Sequence, residues 1–285
     1  MPLHDRKLSI ASLMRVFWKQ VAVTNGLTLA ETAMLASLPL LLGWSIDGLL
    51  NNDWTAFIWL AGTMGLLLLL AIDRRVYDTR AYGTVGVELG MAVVHNTRKQ
   101  PVSTINARLD MSHELVTFLE NEVPVVLTAT VQLVASLAVL FVFHRLLAAM
   151  AGGAILLVLA IYALSGSRFF ALNSNLNEQA ERQVSVLENG SGTAIRHHLS
   201  LLRGHVVRLS DTEAIVYGAI FAVLLAMLGV NLWFAATQIT ASAGQIFAIV
   251  VYSYEMIESA VILPAALQSL TRIAEITRRI NGDSA

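Results

Sequence analysis

The sequence predicts an all-α integral membrane protein with six transmembrane helices that continue into long cytoplasmic helices. Three observations predict this fold class. Of 285 residues, 56% are hydrophobic and 14% are charged, whereas a typical soluble domain has about 25% charged residues. Six apolar runs are long enough to cross a bilayer, which takes about 20 helical residues. The connections between these runs alternate between very short and very long.

The six apolar runs define the elements in order. The predicted spans cover residues 21–42, 54–72, 123–143, 146–164, 214–235 and 243–267, within a single domain over residues 1–285. Short connections at 51–53, 144–145 and 237–242 alternate with long ones at 73–114 and 165–213. The first 19 residues carry charges and lack a short apolar region with a cleavage site, so we expect no removable signal peptide.

Basic residues orient these spans in the membrane. Lysine and arginine collect on the cytoplasmic side of membrane proteins. Of the 19 such residues, 18 lie in the N-terminal segment, the two long connections or the C-terminal tail, and only Arg145 lies in a short connection. Both termini are therefore expected to be cytoplasmic, with the bacterial inner membrane as the expected location.

The two long connections are predicted to be helical hairpins. Residues 76–96 and 172–187 contain no proline and repeat their apolar residues at helical spacing. Structureless loops of this length are uncommon in compact proteins. Because proline and glycine end helices, we expect the hairpin tips at Pro101 and at Gly190–Gly192.

Two stretches of the sequence resemble the transmembrane domain of ABC exporters. The stretch from Arg108 to Pro124 resembles the segment leading into that family's third span, and the stretch from Gly244 to Ile280 resembles its closing segment. A dimer is expected, most simply a homodimer, and the resemblance implies that the partners exchange helices four and five. It also implies that the two hairpin tips are coupling helices, at Pro101, Val102, Ser103, Gly190, Gly192, Arg196 and His197.

The lysines of the chain do not fit a nucleotide-binding P-loop. Such a loop needs a lysine after a glycine to reach the phosphate, and Lys7, Lys19 and Lys99 do not follow a glycine. We therefore expect no ATP hydrolysis, no other enzyme activity and no cofactor. As a transporter expected to work without an ATPase, the protein would be similar to the SbmA/BacA-like transporters. Without cysteine there are no thiolate ligands or disulfides, and we expect neither a metal site nor a nucleic-acid partner.

Three carboxylates fall within the predicted spans. Glu31 lies near the middle of span one, and Glu255 and Glu258 lie on one face of span six because they are three residues apart. Charged groups at the bilayer centre cost about 2.5–3.5 kcal/mol on insertion scales and usually face a cavity or a partner. With no lysine or arginine expected at the same depth, we predict that they bind a cationic substrate or carry protons. Alternatively, each is protonated or bonded to a neighbouring polar group without a role in transport.

A charged group follows span two and comprises Asp73, Arg74, Arg75 and Asp78. Its simplest interpretation is a border cluster that lies at headgroup level. The alternative is an inner vestibule or gate of the transport path.

Three functions fit these features. The first is a proton-coupled dimeric transporter for a cationic or amphipathic small molecule or peptide. The second is the transmembrane subunit of an ABC transporter that a separately encoded ATPase drives. The third is a regulatory or scaffold membrane protein without transport activity. Unpaired carboxylates in the spans favour the first function, while the identity of the substrate and the direction of transport stay open.

Overall fold

The computed structural model describes residues 10–98 and 101–280, with side chains up to Ile262 except those of residues 10, 11, 13, 103, 104, 107, 181, 184, 185 and 189. These residues form nine α-helices and one π-helical turn, and none of them forms a strand. In chain order the elements are α1 Ile10–Val16, α2 Trp18–Leu50, α3 Thr55–Thr97, α4 Val102–Thr117, the π turn Phe118–Glu122, α5 Val123–Phe143, α6 Arg145–Glu181, α7 Gln183–Asn189, α8 Gly192–Thr237 and α9 Ala243–Ile280.

Six helices in the described part of the chain are long and apolar enough to cross a membrane, which confirms the predicted fold class. They are α2, α3, the segment that runs through α4 and the π turn into α5, α6, α8 and α9. The helices continue past the apolar runs that predicted them. For example, α3 extends to Thr97 and α8 begins at Gly192, so polar connecting residues are helical as well.

The helices form two compact units. In the first unit, α2 contacts α3, α5 and α9, and α5 also contacts α9. The second unit contains α6, α7 and most of α8. Its fully buried side chains include the aliphatic Leu147, Ala151 and Leu224 and the polar Asn231. Each unit therefore has a core of its own.

The second half of α3 packs against α4 in the first unit. Tyr82, Val85, Leu89 and Val93 recur at helical spacing along α3, and each is almost fully buried. They form a single apolar cluster with Phe17, between α1 and α2, and with Leu115 of α4 and Phe118 and Leu119 of the π turn. This cluster stabilises the first long connection as a helical hairpin.

A π-helical turn connects α4 to α5. The backbone N–H of Val123 donates to the carbonyl of Phe118, five residues earlier. The next residue, Pro124, has no N–H and cannot donate a helical hydrogen bond. The wider π turn therefore falls where the regular hydrogen-bond pattern of an α-helix would be interrupted.

A tight turn at residues 51–54 sets the register of α2 against α3. Asn52 adopts a left-handed conformation with φ 59°. The carboxylate of Asp53 accepts hydrogen bonds from the hydroxyl and the backbone N–H of Thr55, at 2.6 and 2.9 Å. These bonds hold the pKa of Asp53 below its usual value. The turn fixes which residues of α2 and α3 lie at the same depth.

The backbones of α2 and α9 touch at Gly43 and Gly244. A β-carbon at Gly43 would lie 2.5 Å from the carbonyl oxygen of Gly244, so the crossing leaves no room for a side chain. Asp47 then caps the start of α9. Its carboxylate accepts a hydrogen bond from the N–H of Gly244 at 2.9 Å and another from the hydroxyl of Ser242. The start of α9 is thereby fixed to α2.

Gly43→Val is expected to destabilise the protein, because the new side chain would push α2 away from α9. Overpacking of this kind costs about 1–3 kcal/mol. The matched control is Gly62→Ala on α3, where a β-carbon would meet no atom within 4 Å. We expect the control to be neutral or slightly stabilising, since glycine inside a helix costs about 0.5–1 kcal/mol relative to alanine. Thermal unfolding in detergent checks both, and equal midpoints would contradict the close crossing.

Candidate functional site

A cavity of about 540 Å³ lies among α2, α3, α5 and α9 of the first unit. Most of its wall is aliphatic, with Leu35, Leu38, Leu42, Val125, Val251 and Ile262 among the lining residues. The charged residues in its wall are Arg74, Glu255 and Glu258. The cavity therefore combines an apolar surface with few charges, as sites for small organic ligands do.

The register of α9 brings both carboxylates to the cavity. Val251, Glu255, Glu258 and Ile262 are spaced by four, three and four residues, so they share one helix face. Tyr252, one helical turn before Glu255, is fully buried and donates a hydrogen bond from its hydroxyl to the carbonyl of Ala36 at 2.6 Å. This bond attaches α9 to α2 next to the carboxylates. It therefore helps to fix the rotation of α9 that turns Glu255 and Glu258 toward the cavity.

Glu255 and Glu258 have different surroundings. The carboxylate of Glu255 is half-buried and interacts with the side-chain amide of Gln132 on α5. Its Oε2 atom is buried without a hydrogen-bond partner among the described residues. Glu258 is exposed within the cavity wall and lies beside the hydroxyl of Tyr254. Glu255 is therefore the more sheltered of two neighbouring acceptors.

The structure corrects the prediction that Glu31 has no basic partner. The Nε atom of Arg74 lies 2.8 Å from Oε2 of Glu31, and these side chains are 28% and 15% exposed. The N–H does not point at the oxygen along a hydrogen-bond direction, so the contact is an ion pair. The Nη1 atom of Arg74 also donates to the hydroxyl of Thr28 at 3.3 Å.

This pair could have been found from the spacing of the first hairpin. Glu31 precedes Asn51 by the same number of residues by which Arg74 follows Trp54. Residues equally far from a tight turn lie at the same level of two antiparallel helices, since each residue rises about 1.5 Å. The prediction that Glu31 has no basic partner failed because it assumed that α3 leaves the membrane where its apolar run ends.

Arg74 also lies near a second carboxylate. Its Nε atom is 3.9 Å from Oδ2 of Asp78, one helical turn further along α3, and the side chain of Asp78 is 8% exposed. Thr24 on α2 lies next to Asp78 and Tyr82. Asp73 and Arg75 are exposed, and Arg75 acts on Asp78 only through its charge. The predicted vestibule group is therefore divided, with Arg74 half-buried, Asp78 buried and the other two at the surface.

The predicted coupling-tip residues lie at helix ends. Pro101 precedes the first residue of α4, and Val102 is 81% exposed. The side chain of Ser103 lies outside the described residues. Gly190 separates α7 from α8, Gly192 begins α8, and Arg196 and His197 are exposed on it. The next residue, His198, is buried and bonds through Nδ1 to Gln179 at 2.8 Å.

The sequence reasoning missed Gln132, Tyr252 and Asp47. Gln132 could have been noticed, because it is the one amide in an otherwise apolar α5 with a few hydroxyl groups. Tyr252 and Asp47 gave no such signal, since their partners lie far away in the chain. Among the described residues, no three histidine, aspartate or glutamate side chains converge in a way that could hold a metal ion.

The comparison with known proteins gives one family. Residues 10–244, from α1 to the start of α9, match the ABC transporter transmembrane region. The match includes Glu31 and Arg74, whereas Glu255 and Glu258 follow its end. No curated protein matches the chain significantly. A match over most of the chain, together with six membrane-length helices, identifies the protein as a multi-pass membrane transporter protein that belongs to the ABC transporter transmembrane region family.

Proposed function

We propose that the protein moves a cationic or amphipathic organic molecule, or a peptide of that character, through the cavity of its first unit. The observation that carries this proposal is the position of Glu255 and Glu258 on one face of α9, in the wall of a largely apolar cavity. Carboxylates at membrane depth are costly unless they have a partner or a function. A cation with an apolar body complements both parts of this wall.

The charge of the cavity supports a cation over an anion. The described lining contains two carboxylates and one guanidinium, and the guanidinium of Arg74 is already paired with Glu31 at 2.8 Å. The remaining charge is negative, and a positive ligand would be attracted to it in the low dielectric of the membrane.

We propose proton movement as the energy source, with Glu255 and Glu258 as the groups that take up protons. Both carboxylates lack a basic partner among the cavity's described lining residues, so protonation removes a charge that is costly at this depth. Glu31 is reassigned from this role, because its carboxylate is already engaged in the ion pair with Arg74. Binding of a cation and binding of protons would then compete for the same two groups.

The proposed assembly is a homodimer in the cell membrane, with both termini cytoplasmic. It rests on the resemblance to ABC exporters, which implies that the partners exchange helices four and five. An ATPase docked at the tips is the second candidate for the energy source. The exposure of Val102, Arg196 and His197 at helix ends favours it.

Purified protein in liposomes tests the proposal. We expect a pH gradient without nucleotide to drive movement of ethidium, a planar organic cation, while a sulfonated dye of similar size stays in place. Ethidium movement that ignores the gradient and requires a copurified ATPase with ATP would contradict proton coupling and support the second candidate. Movement of the sulfonated dye would contradict the cation preference.

A further inference from the structure

Arg74 is shared between two places in the first unit. It is the only cation among the described residues that line the cavity with Glu255 and Glu258. At the same time, its Nε atom lies 2.8 Å from Glu31 and 3.9 Å from Asp78. The ion pair with Glu31 therefore determines whether the guanidinium of Arg74 interacts with α2 or with the carboxylates of the cavity.

An arginine released from Glu31 has a clear alternative. Its side chain is long and flexible, and two carboxylates of the same cavity wall lack a basic partner among the described lining residues. Opposite charges that share a low-dielectric cavity attract one another strongly. A guanidinium also binds carboxylates through several N–H donors at once. Without Glu31, Arg74 would keep only the longer contact of 3.9 Å with Asp78, and the two cavity carboxylates would draw it toward them.

We propose that Glu31 is a positioning residue that holds Arg74 away from the cavity carboxylates, so that an incoming cation finds them free. This inference rests on the proposed function, since it explains how a cavity that contains an arginine still selects cations. It assigns Glu31 a role without contact to the substrate. Loss of Glu31 lowers the negative charge of the cavity although the variant keeps both Glu255 and Glu258.

The absence of cysteine from the chain allows a direct test. Val251→Cys places a thiol in the cavity wall, one helical turn from Glu255. Its reaction rates with a methanethiosulfonate that carries trimethylammonium and with one that carries sulfonate report the local charge. We expect the cationic reagent to react faster. Glu31→Gln is expected to lower the ratio of the cationic rate to the sulfonate rate by about tenfold, because the positive charge of Arg74 moves several ångströms into the cavity.

Two further variants separate positioning from structure. Glu31→Gln combined with Arg74→Gln is expected to restore the high ratio, because no guanidinium is left to enter the cavity. Arg80→Gln, at an exposed position of α3, is expected to leave the rate ratio unchanged. If Glu31→Gln only loosened the fold, both reagents would react faster by the same factor and the rate ratio would not change. That outcome, or a rate ratio that stays low in the double variant, overturns the proposal.

The rate ratio needs no transport, so the two claims fail separately. An unchanged ratio in Glu31→Gln, in a protein whose wild type moves ethidium, overturns the positioning role and leaves the proposed function standing. A ratio that falls and recovers as expected, in a protein that moves no ethidium under a pH gradient, supports the placement of Arg74 and overturns the transport of cations.

Discussion

Replacing Glu255 with glutamine is expected to lower the affinity for a cationic substrate by about thirtyfold. A hydrogen bond to a charged group contributes about 1.5–3 kcal/mol, and about 1.4 kcal/mol corresponds to a factor of ten in affinity. Glu258→Gln is expected to have a smaller effect, because Glu258 is exposed whereas Glu255 is half-buried. The double variant should move no substrate in response to a pH gradient.

Ethidium binding to detergent-purified protein checks the order of these effects. The matched control is Glu88→Gln, which removes the same charge from an exposed position of α3 outside the cavity lining. We expect this control to bind ethidium like the wild type. Equal affinities for the wild type and the double variant would contradict the assignment of the cavity carboxylates.

Among single changes at Glu31, Arg74 and Asp78, Arg74→Gln is expected to be the most destabilising. It leaves the carboxylates of Glu31 and Asp78, which are 15% and 8% exposed, without their shared counter-charge. Removal of one partner of a buried ion pair costs about 3–5 kcal/mol, and we expect about 3 kcal/mol here because Arg74 is partly exposed. Glu31→Gln should cost less, since the freed Arg74 can pair with the cavity carboxylates.

Thermal unfolding of the four combinations at Glu31 and Arg74 checks this asymmetry. Adding Glu31→Gln to Arg74→Gln should recover part of the lost stability, because one unpaired carboxylate is then removed. Arg80→Gln should change the free energy of unfolding by about 0.5 kcal/mol or less, as is usual for an exposed position. If Glu31→Gln proved more destabilising than Arg74→Gln, the two carboxylates would not depend on Arg74 as described.

The fold class was within reach of the sequence because it depends on composition and length. A run such as residues 243–267 has few ways to satisfy its backbone in a membrane other than as a helix. The spacing of Glu255 and Glu258 likewise placed both on one face of α9 before any contact was known. Such local rules needed no knowledge of which helices pack together.

Contacts between helices that no tight turn connects were beyond this kind of reasoning. The pairing of Glu31 with Arg74 was within reach, because the turn at Asn52 fixes the register of α2 against α3. The crossing at Gly43 and Gly244 depends on two glycines that are far apart in the chain. Glycine is common in membrane helices, so neither residue stands out until both backbones are in place.

Proton movement caused by the substrate itself tests the central claim most directly. Nucleotide-free liposomes that contain the protein and a pH-sensitive dye in their lumen receive ethidium with no imposed gradient. We predict a change of luminal pH that accompanies ethidium movement in the wild type and in Glu88→Gln. We also predict that this change is lost when Glu255 and Glu258 are both glutamine. Ethidium movement without a pH change, or a pH change that survives the double replacement, would contradict the account.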